Sequence, residues 1–263
     1  MTDKPIMFSG PMVRAILDGS KTQTRRVLKL NGHRCFTEFC PSTTRGYDWC
    51  FRDTSKRWHD ITNDELFSRY LPYKVGDRLW VRETWRVGAW DYDSACNPHR
   101  FAIDYIADNY ARTEWLYPKD LEASNRLVSQ SLDEIGVGDL VWSPGDSPLR
   151  ARPSIFMPRW ASRLTLTVTD VRVQRVQDII MVDAIAEGIM QAETEDGDIM
   201  YSGSYWEYPI PYEYMHHYPE DAFRDLWDSI NAKKADAKAW RDNPWVVALT
   251  FAVEQRNIDE VAA

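Results

Sequence analysis

Gly19-Ser20-Lys21-Thr22-Gln23-Thr24-Arg25-Arg26 follows a stretch of helical periodicity near the start of the chain. Ahead of it, Ser9-Gly10-Pro11 has the composition of a helix start, a capping residue followed by a proline near the first helical position. Met12, Val13, Ile16 and Leu17 fall on one side of a 3.6-residue repeat, and Gly19 supplies the stop, so a helix is predicted over 10–18. The residues that follow are polar and β-branched and predict a strand over 22–28, with Thr22, Thr24 and Arg26 on one face. A lysine, a threonine hydroxyl and an arginine are thereby presented together at a helix-to-strand junction. That set suits acyl-group chemistry or the holding of a phosphate, and a solvated basic turn has the same composition.

Further strands are expected at 78–85, 155–160, 164–173 and 245–253. In the first, Leu79, Val81 and Glu83 alternate onto one face and Trp80, Arg82 and Thr84 onto the other. Glu83 joins an apolar face, where a carboxylate needs a partner. Either a nearby arginine neutralises it structurally or it belongs to a site. Leu164-Thr165-Leu166-Thr167-Val168-Thr169 alternates as a half-buried strand does. Phe101–Ile106 is a possible additional strand. Helices are predicted over 178–186 and from Pro219, the latter with Ala222, Phe223, Leu226, Trp227 and Ile230 as its buried stripe. Strands dominate the core and helices are few. The expected fold is therefore mainly β (α+β), a partly open β-barrel with flanking helices and long insertions.

The chain has 263 residues and 44% hydrophobic content, ample for a buried core. No apolar run approaches the ~18 residues that span a bilayer, and Met1-Thr2-Asp3-Lys4-Pro5 lacks the features of a secretory signal. A cytoplasmic protein that does not enter membranes is expected. The net charge of −8 argues against coating nucleic acid by bulk electrostatics. Charge is uneven, however. Arg150, Arg152, Arg159, Arg163, Arg172 and Arg175 lie close together against Asp170 alone, and Lys21, Arg25, Arg26 and Lys29 form a second cluster. A locally basic cleft on an acidic protein suits a nucleoside, a nucleotide or a short RNA; arginines that protect strand edges give the same pattern. Among twelve tryptophans, Trp80, Trp85, Trp160 and Trp245 sit in apolar, strand-like contexts, and Trp90, Trp115 and Trp206 in polar, loop-like ones suited to ligand contact.

Cys35, Cys40, Cys50 and Cys96 are the only cysteines, and reduced thiols are expected in a protein without a signal peptide. His33 and His59 lie in the same segment, yet no CxxC pair occurs and the gaps do not fit zinc-site spacing. No metal and no cofactor is expected. His216 and His217 lie in an extended aromatic run over 208–219, with no nucleophile-elbow pattern to place them in a triad.

Gly19, Lys21 and Arg26 match the G-x-K-x-x-E-x-R signature of the ASCH superfamily, with Thr24 in place of its glutamate. Gly76-Asp77-Arg78-Leu79-Trp80-Val81-Arg82-Glu83, Ser154-Ile155-Phe156-Met157-Pro158-Arg159-Trp160 and Asp183-Ala184-Ile185-Ala186-Glu187-Gly188 also resemble that superfamily. The opening resembles ASCH proteins of bacteriophages and prophages, and the Thr24 departure is shared by ASCH enzymes that resemble N4-acetylcytidine amidohydrolases. The resemblance implies a single PUA-like domain over 1–263, with core segments near 6–28, 74–87, 150–189 and 219–256 and insertions near 29–73, 88–149 and 190–218. It implies a hydrolase that removes an acyl group from an N4-acylated cytidine-type nucleoside, with Lys21, Thr24 and Glu187 catalytic. Arg25, Arg26, Glu83, Arg159 and Trp160 are the expected substrate-binding residues. A PUA-like module that binds RNA or a modified nucleotide without chemistry, and an ASCH-type ribonuclease, are the alternatives.

An amide carbonyl needs a nucleophile, a base for its proton and an acid for the departing amine. A lysine serves as base near neutral pH when burial or a neighbouring cation lowers its proton affinity. Arg25 or Arg26 is such a neighbour. Thr24 then acts as nucleophile or positions a water, and Glu187 shuttles the proton or orients Lys21. A glutamate at a helix C-terminus also opposes the helix dipole and calls for a compensating cation, for which Lys21 is suited.

Overall fold

A computed structural model of the chain describes residues 2–33, 36–92, 99–111, 115–135, 142, 145–193, 197–202, 215–232 and 239–261. Cys35, Cys96, Trp206 and residues 208–214 of the aromatic run lie outside the described residues. In chain order the elements are β1 (Asp3–Met7), α1 (Gly10–Leu17), β2 (Gln23–Val27), β3 (Glu38–Pro41), β4 (Trp49–Arg52), β5 (Trp58–Ile61), α2 (Asn63–Glu65), β6 (Arg78–Arg82), β7 (Trp85–Tyr92), β8 (His99–Tyr105), β9 (Tyr110–Ala111), α3 (Leu121–Ile135), β10 (Thr165–Arg175), α4 (Met181–Ala186), β11 (Met190–Glu193), β12 (Ile199–Ser202), α5 (Pro219–Asn231) and β13 (Trp245–Glu254). The fold is mixed α/β, with several sheets and no closed barrel among the described residues. Among those residues no helix is long and apolar enough to cross a membrane.

The chain divides into two compact units, each assembled from three segments. The first comprises Met1–Thr2, Ser20–Asp77 and Thr167–Ala252. In it β10, β13 and β2 lie side by side, and β2 pairs antiparallel with β13 so that Thr24 faces Leu249 and Arg26 faces Val247. The apolar run Val246–Leu249 is buried on both faces, as an interior strand requires. The segment after β2, which reads as a polar, loop-rich insertion, forms the antiparallel sheet β3-β4-β5. Its aromatic residues anchor it, for the Phe39 ring lies 5.2 Å from Trp49 and both lie 5.4 Å from Trp245. Cys40 and Cys50 face each other across the β3-β4 ladder, with Cα atoms 5.4 Å apart, and form a disulfide. The expectation of reduced thiols fails for this pair because strand register, invisible in linear spacing, makes them cross-strand neighbours. In α5 Ala222, Phe223, Leu226 and Trp227 are buried as the stripe predicts, whereas Ile230 is exposed in the last turn.

The second unit comprises Asp3–Gly19, Arg78–Leu166 and Val253–Ala263. Here β1 runs parallel to β6, placing Ile6 beside Val81. The strand expected over 78–85 breaks after Arg82, and β7 begins at Trp85. Residues 155–160 are not a strand. They form two 3-10 turns, Ser154–Phe156 and Arg159–Ala161, each entered through a proline. Pro153 and Pro158 withhold the N–H groups a ladder needs, so the apolar run reads as a strand only when its prolines are discounted. Trp85, Val87, Phe101, Ile103, Tyr105, Val128, Leu149, Met157 and Ala161 build the core of this unit, and the Tyr105 hydroxyl donates to the Ala161 carbonyl at 2.8 Å.

Gly88 sits where the β7-β8 register slips between Val87 and Ala89. A Cβ at this position would run into Asp104 Oδ1 and stand 3.3 Å from the Ala102 carbonyl oxygen. The Asp104 carboxylate is held there by Arg86, at 2.8 and 3.0 Å. Gly88→Ala is expected to lower the unfolding free energy by about 1–3 kcal/mol, the usual cost of overpacking. In an Asp104→Ala background the added cost should fall to a fraction of that, as urea denaturation of the double-mutant cycle would measure. Equal costs in both backgrounds would place the strain elsewhere.

Candidate functional site

The site grows from the end of α4. Its helix stops because Gly188 adopts φ +90°, a left-handed conformation that costs glycine little. Glu187 is therefore the C-cap, with its backbone N–H still donating to Asp183 and Ala184. A carboxylate here lies at the negative end of the helix, where it demands a cation. Lys21 supplies it. Its ammonium donates to Glu187 Oε2 at 2.7 Å and to the Glu187 backbone carbonyl at 2.6 Å, closing one of the carbonyls that a helix end leaves open. Thr22 N–H donates to the Ala186 carbonyl, and Phe251 N–H to the Thr22 carbonyl, so the turn before β2 is tied to the helix end on one side and to β13 on the other.

Lys21 has no exposed surface (0%). Burial pushes its proton affinity down from the ordinary 10.5; Glu187 opposes the shift by charge and hydrogen bond, and Arg26 and Arg25 add to it. Arg25, also buried, spans two carboxylates, donating through Nη1 to Glu187 Oε1 at 3.0 Å and through Nη2 to Asp183 Oδ2 at 2.7 Å. Gln23 Nε2 and Arg172 Nη2 donate to Asp183 Oδ1 at 3.0 and 3.1 Å. Burial by itself would raise Asp183; the hydrogen bond from Arg172, the charge of Arg25 and the bond from Gln23 outweigh it and hold the carboxyl below its ordinary 3.8. Lys21, Arg25 and Arg172 thus stand against Glu187 and Asp183, and Arg172 pairs in addition with Asp170 at 3.2 Å.

Of the catalytic residues expected from sequence, Lys21 and Glu187 are brought into direct contact across 166 positions of chain. Thr24 is buried beside them in sequence but lies, by the alternation of β2, on the face opposite Gln23 and Arg25. Arg26 shares the Thr24 face, and its charge still acts on both Lys21 and Glu187. Burial lowers the proton affinity of Arg26, against the opposing influence of Tyr73 and Glu187.

The other three expected residues belong to the second unit. Glu83 is buried and held by Arg163, which donates to both carboxylate oxygens at 2.9 Å; burial raises its proton affinity, and Arg163 opposes the rise. Arg159 is spent on Asp3 and Asp259, each at 2.6 Å. The Trp160 ring lies 5.5 Å from Phe101, at the edge of that unit's core. Asp183, Gln23 and Arg172 are absent from the expected site. Asp183 and Glu187 stand four positions apart on one helix, a spacing that puts two carboxylates on one face and signals a shared cation. Among the described residues no group of His, Cys, Asp and Glu is arranged to hold a metal ion.

Glu187→Gln leaves the buried Lys21 ammonium without its carboxylate. The variant should lose about 3–5 kcal/mol of stability at neutral pH, the cost of breaking a buried pair from one side. Removing Glu187 removes the group that raises Lys21, so the folded variant sheds the Lys21 proton at lower pH than wild type. A lysine with depressed folded pKa adds stability as pH rises from that pKa towards its unfolded value. The variant enters this regime first, and its deficit should shrink as pH rises between the two folded pKa values. Denaturant titrations across neutral and alkaline pH test this; a deficit constant with pH would show that Lys21 does not titrate in either protein.

No protein-family model matches the chain, and comparisons with curated proteins and with solved structures likewise found no match.

Proposed function

We propose that the Lys21–Glu187 centre is the reactive site of an amidohydrolase that removes an acyl group from an N4-acylated cytidine-type nucleoside or a related nucleic-acid component. The observation that carries this reading is a fully buried lysine whose ammonium contacts a carboxylate at 2.7 Å and whose proton affinity is depressed by burial. Such a lysine is available as a base at a pH where an exposed lysine is not. The reading also rests on the resemblance of the Lys21, Thr24 and Glu187 segments to ASCH amidohydrolases, and with it on a PUA-like, partly open barrel built around β2, β10 and β13.

In this reaction a water adds its oxygen to the acyl carbonyl carbon and gives its proton to the neutral Lys21 amine. Collapse of the tetrahedral adduct breaks the C–N bond, and the Lys21 ammonium returns a proton to the departing exocyclic nitrogen. The products are a carboxylic acid and the free amine. Glu187 holds Lys21 in place and exchanges its proton with it, and Arg25, anchored by Asp183, fixes the Glu187 carboxylate. Thr24, on the Arg26 face of β2, orients the attacking water from that side. Arg26, on the Thr24 face, holds the substrate or stabilises the oxyanion.

One observation favours a second reading of different class. Lys21 is enclosed and also caps the Glu187 carbonyl, as a purely structural cation does. On that reading the chain is a PUA-like module that binds RNA or a modified nucleotide through its arginines.

Hydrolysis of N4-acetylcytidine separates the two. The enzyme predicts turnover that rises with pH to an apparent pKa below that of free lysine, and its loss by a factor of 100 or so in Lys21→Arg, the low end of a general base's contribution. Arginine keeps the charge but does not deprotonate in this range. Equal turnover by Lys21→Arg and wild type would show that Lys21 is not the base, and no hydrolysis by either protein would overturn the amidohydrolase reading in favour of the binding module.

A further inference from the structure

A second site, independent of Lys21, lies wholly within the second unit. Between α3 and the two 3-10 turns opens a cavity of about 770 Å³, within the range of small-molecule sites. Its lining combines aromatic rings with arginines. Trp85 belongs to the core cluster, and Trp160 packs on it from the partly buried margin. Phe156 is 68% exposed, a large apolar ring turned to solvent. It stands at the end of the turn Ser154–Phe156, whose entry and exit run through Pro153 and Pro158. The ring is therefore presented on a stiff backbone, with little ordering left to be lost on binding.

Arg126, Arg150 and Arg152 line the cavity with Asp133 and Glu134, and Arg126 is paired with Glu122 at 2.9 Å. Arg150 and Arg152 both lean on Glu134, at 3.2 and 3.4 Å, so one carboxylate serves two guanidinium groups. Arg150 keeps 80% of its side chain in solvent. Arg152 lies 5.9 Å over the Trp85 ring and is joined to Trp85 by a two-way backbone bridge. The same two residues carry buried donors with no acceptor, Trp85 Nε1 and Arg152 Nε. Arg152 also donates to Gln130 Oε1 at 3.1 Å, so the largely solvated Arg150, which shares its carboxylate, is the guanidinium most open to a ligand beside the aromatic wall.

We infer that this cavity binds a planar aromatic ring bearing an anionic group, the ring on Phe156 and Trp160 and the anion on Arg150. A mononucleotide and an aromatic carboxylate share that chemistry. Adenosine 5′-monophosphate, adenosine, inorganic phosphate and indole-3-carboxylate, each titrated into the full chain by calorimetry, separate the sources. Binding of the monophosphate well above both adenosine and phosphate identifies a nucleotide; binding of the carboxylate alone identifies the other source. In either case Phe156→Leu, which keeps an apolar side chain but removes the ring, should weaken binding about fivefold or more, the low end of a stacking contribution. Arg150→Gln should weaken binding and flatten its salt dependence. Both side chains are exposed, so both variants should fold. Lys21→Ala should bind as wild type does, whatever becomes of hydrolysis. No binding of either anion at millimolar concentration, or binding indifferent to Phe156→Leu, would overturn the assignment.

Discussion

The first unit is organised around an ammonium taken out of water. Transfer of Lys21 to an interior is strongly unfavourable unless its charge is matched, and Glu187 matches it with a carboxylate oxygen at 2.7 Å and a carbonyl oxygen at 2.6 Å. The consequences spread along both chain segments. The lysine fixes the residue before β2 against the end of α4, the Thr22 backbone ties that junction to Ala186 and Phe251, and Arg25 two turns of the pleat onward bridges Glu187 to Asp183. Well-packed hydrophobic groups often stabilise an interior as much as such a network does, whereas breaking the network from one side leaves a buried charge unmatched.

The second unit contains the same kind of pair put to a different use. Arg163 clasps Glu83 with two donors and Asp108 with two more, while its guanidinium lies 4.1 Å over Tyr105 and 5.5 Å over Tyr110. Arginine stays protonated, and its planar fork saturates the carboxylate, so the arrangement is a clamp. Lysine has a proton it can lose. A buried Lys–Glu pair retains a titration that a buried Arg–Glu pair lacks, and for that reason the proposed reactive centre is Lys21 rather than Arg163.

Much of this was legible in linear sequence. The helix before Gly19 follows from its apolar face at the 3.6-residue repeat, β2 from polar and β-branched residues after a glycine stop, and β6, β10 and β13 from alternating or continuous apolar runs. The need for a cation near Glu187 follows from a carboxylate at a helix end. What was not legible depends on register and on partners distant in sequence. Cys40 and Cys50 meet only once β3 and β4 pair, and the sheet of which they are part was hidden in a polar segment stapled by aromatic contacts to Trp245. Residues 155–160 read as a strand by their apolar content, but Pro153 and Pro158 turn the segment into 3-10 structure. Arg159, called to the site by its motif, is consumed by Asp3 and Asp259, and neither acid could be assigned to it from spacing.

The proton affinity of one amine decides whether this centre is reactive or merely structural. Selective ¹³Cε and ¹⁵Nζ labelling of lysine, with Lys21 assigned by substitution, gives its titration directly by NMR without any assay of activity. A Lys21 that loses its proton well below 10.5, with the rest of the protein still folded, is the result predicted by its burial and by the nearby guanidinium groups. A titration at or above 10.5 would mean that Glu187 outweighs burial, that the ammonium is permanent, and that Lys21 cannot be the base.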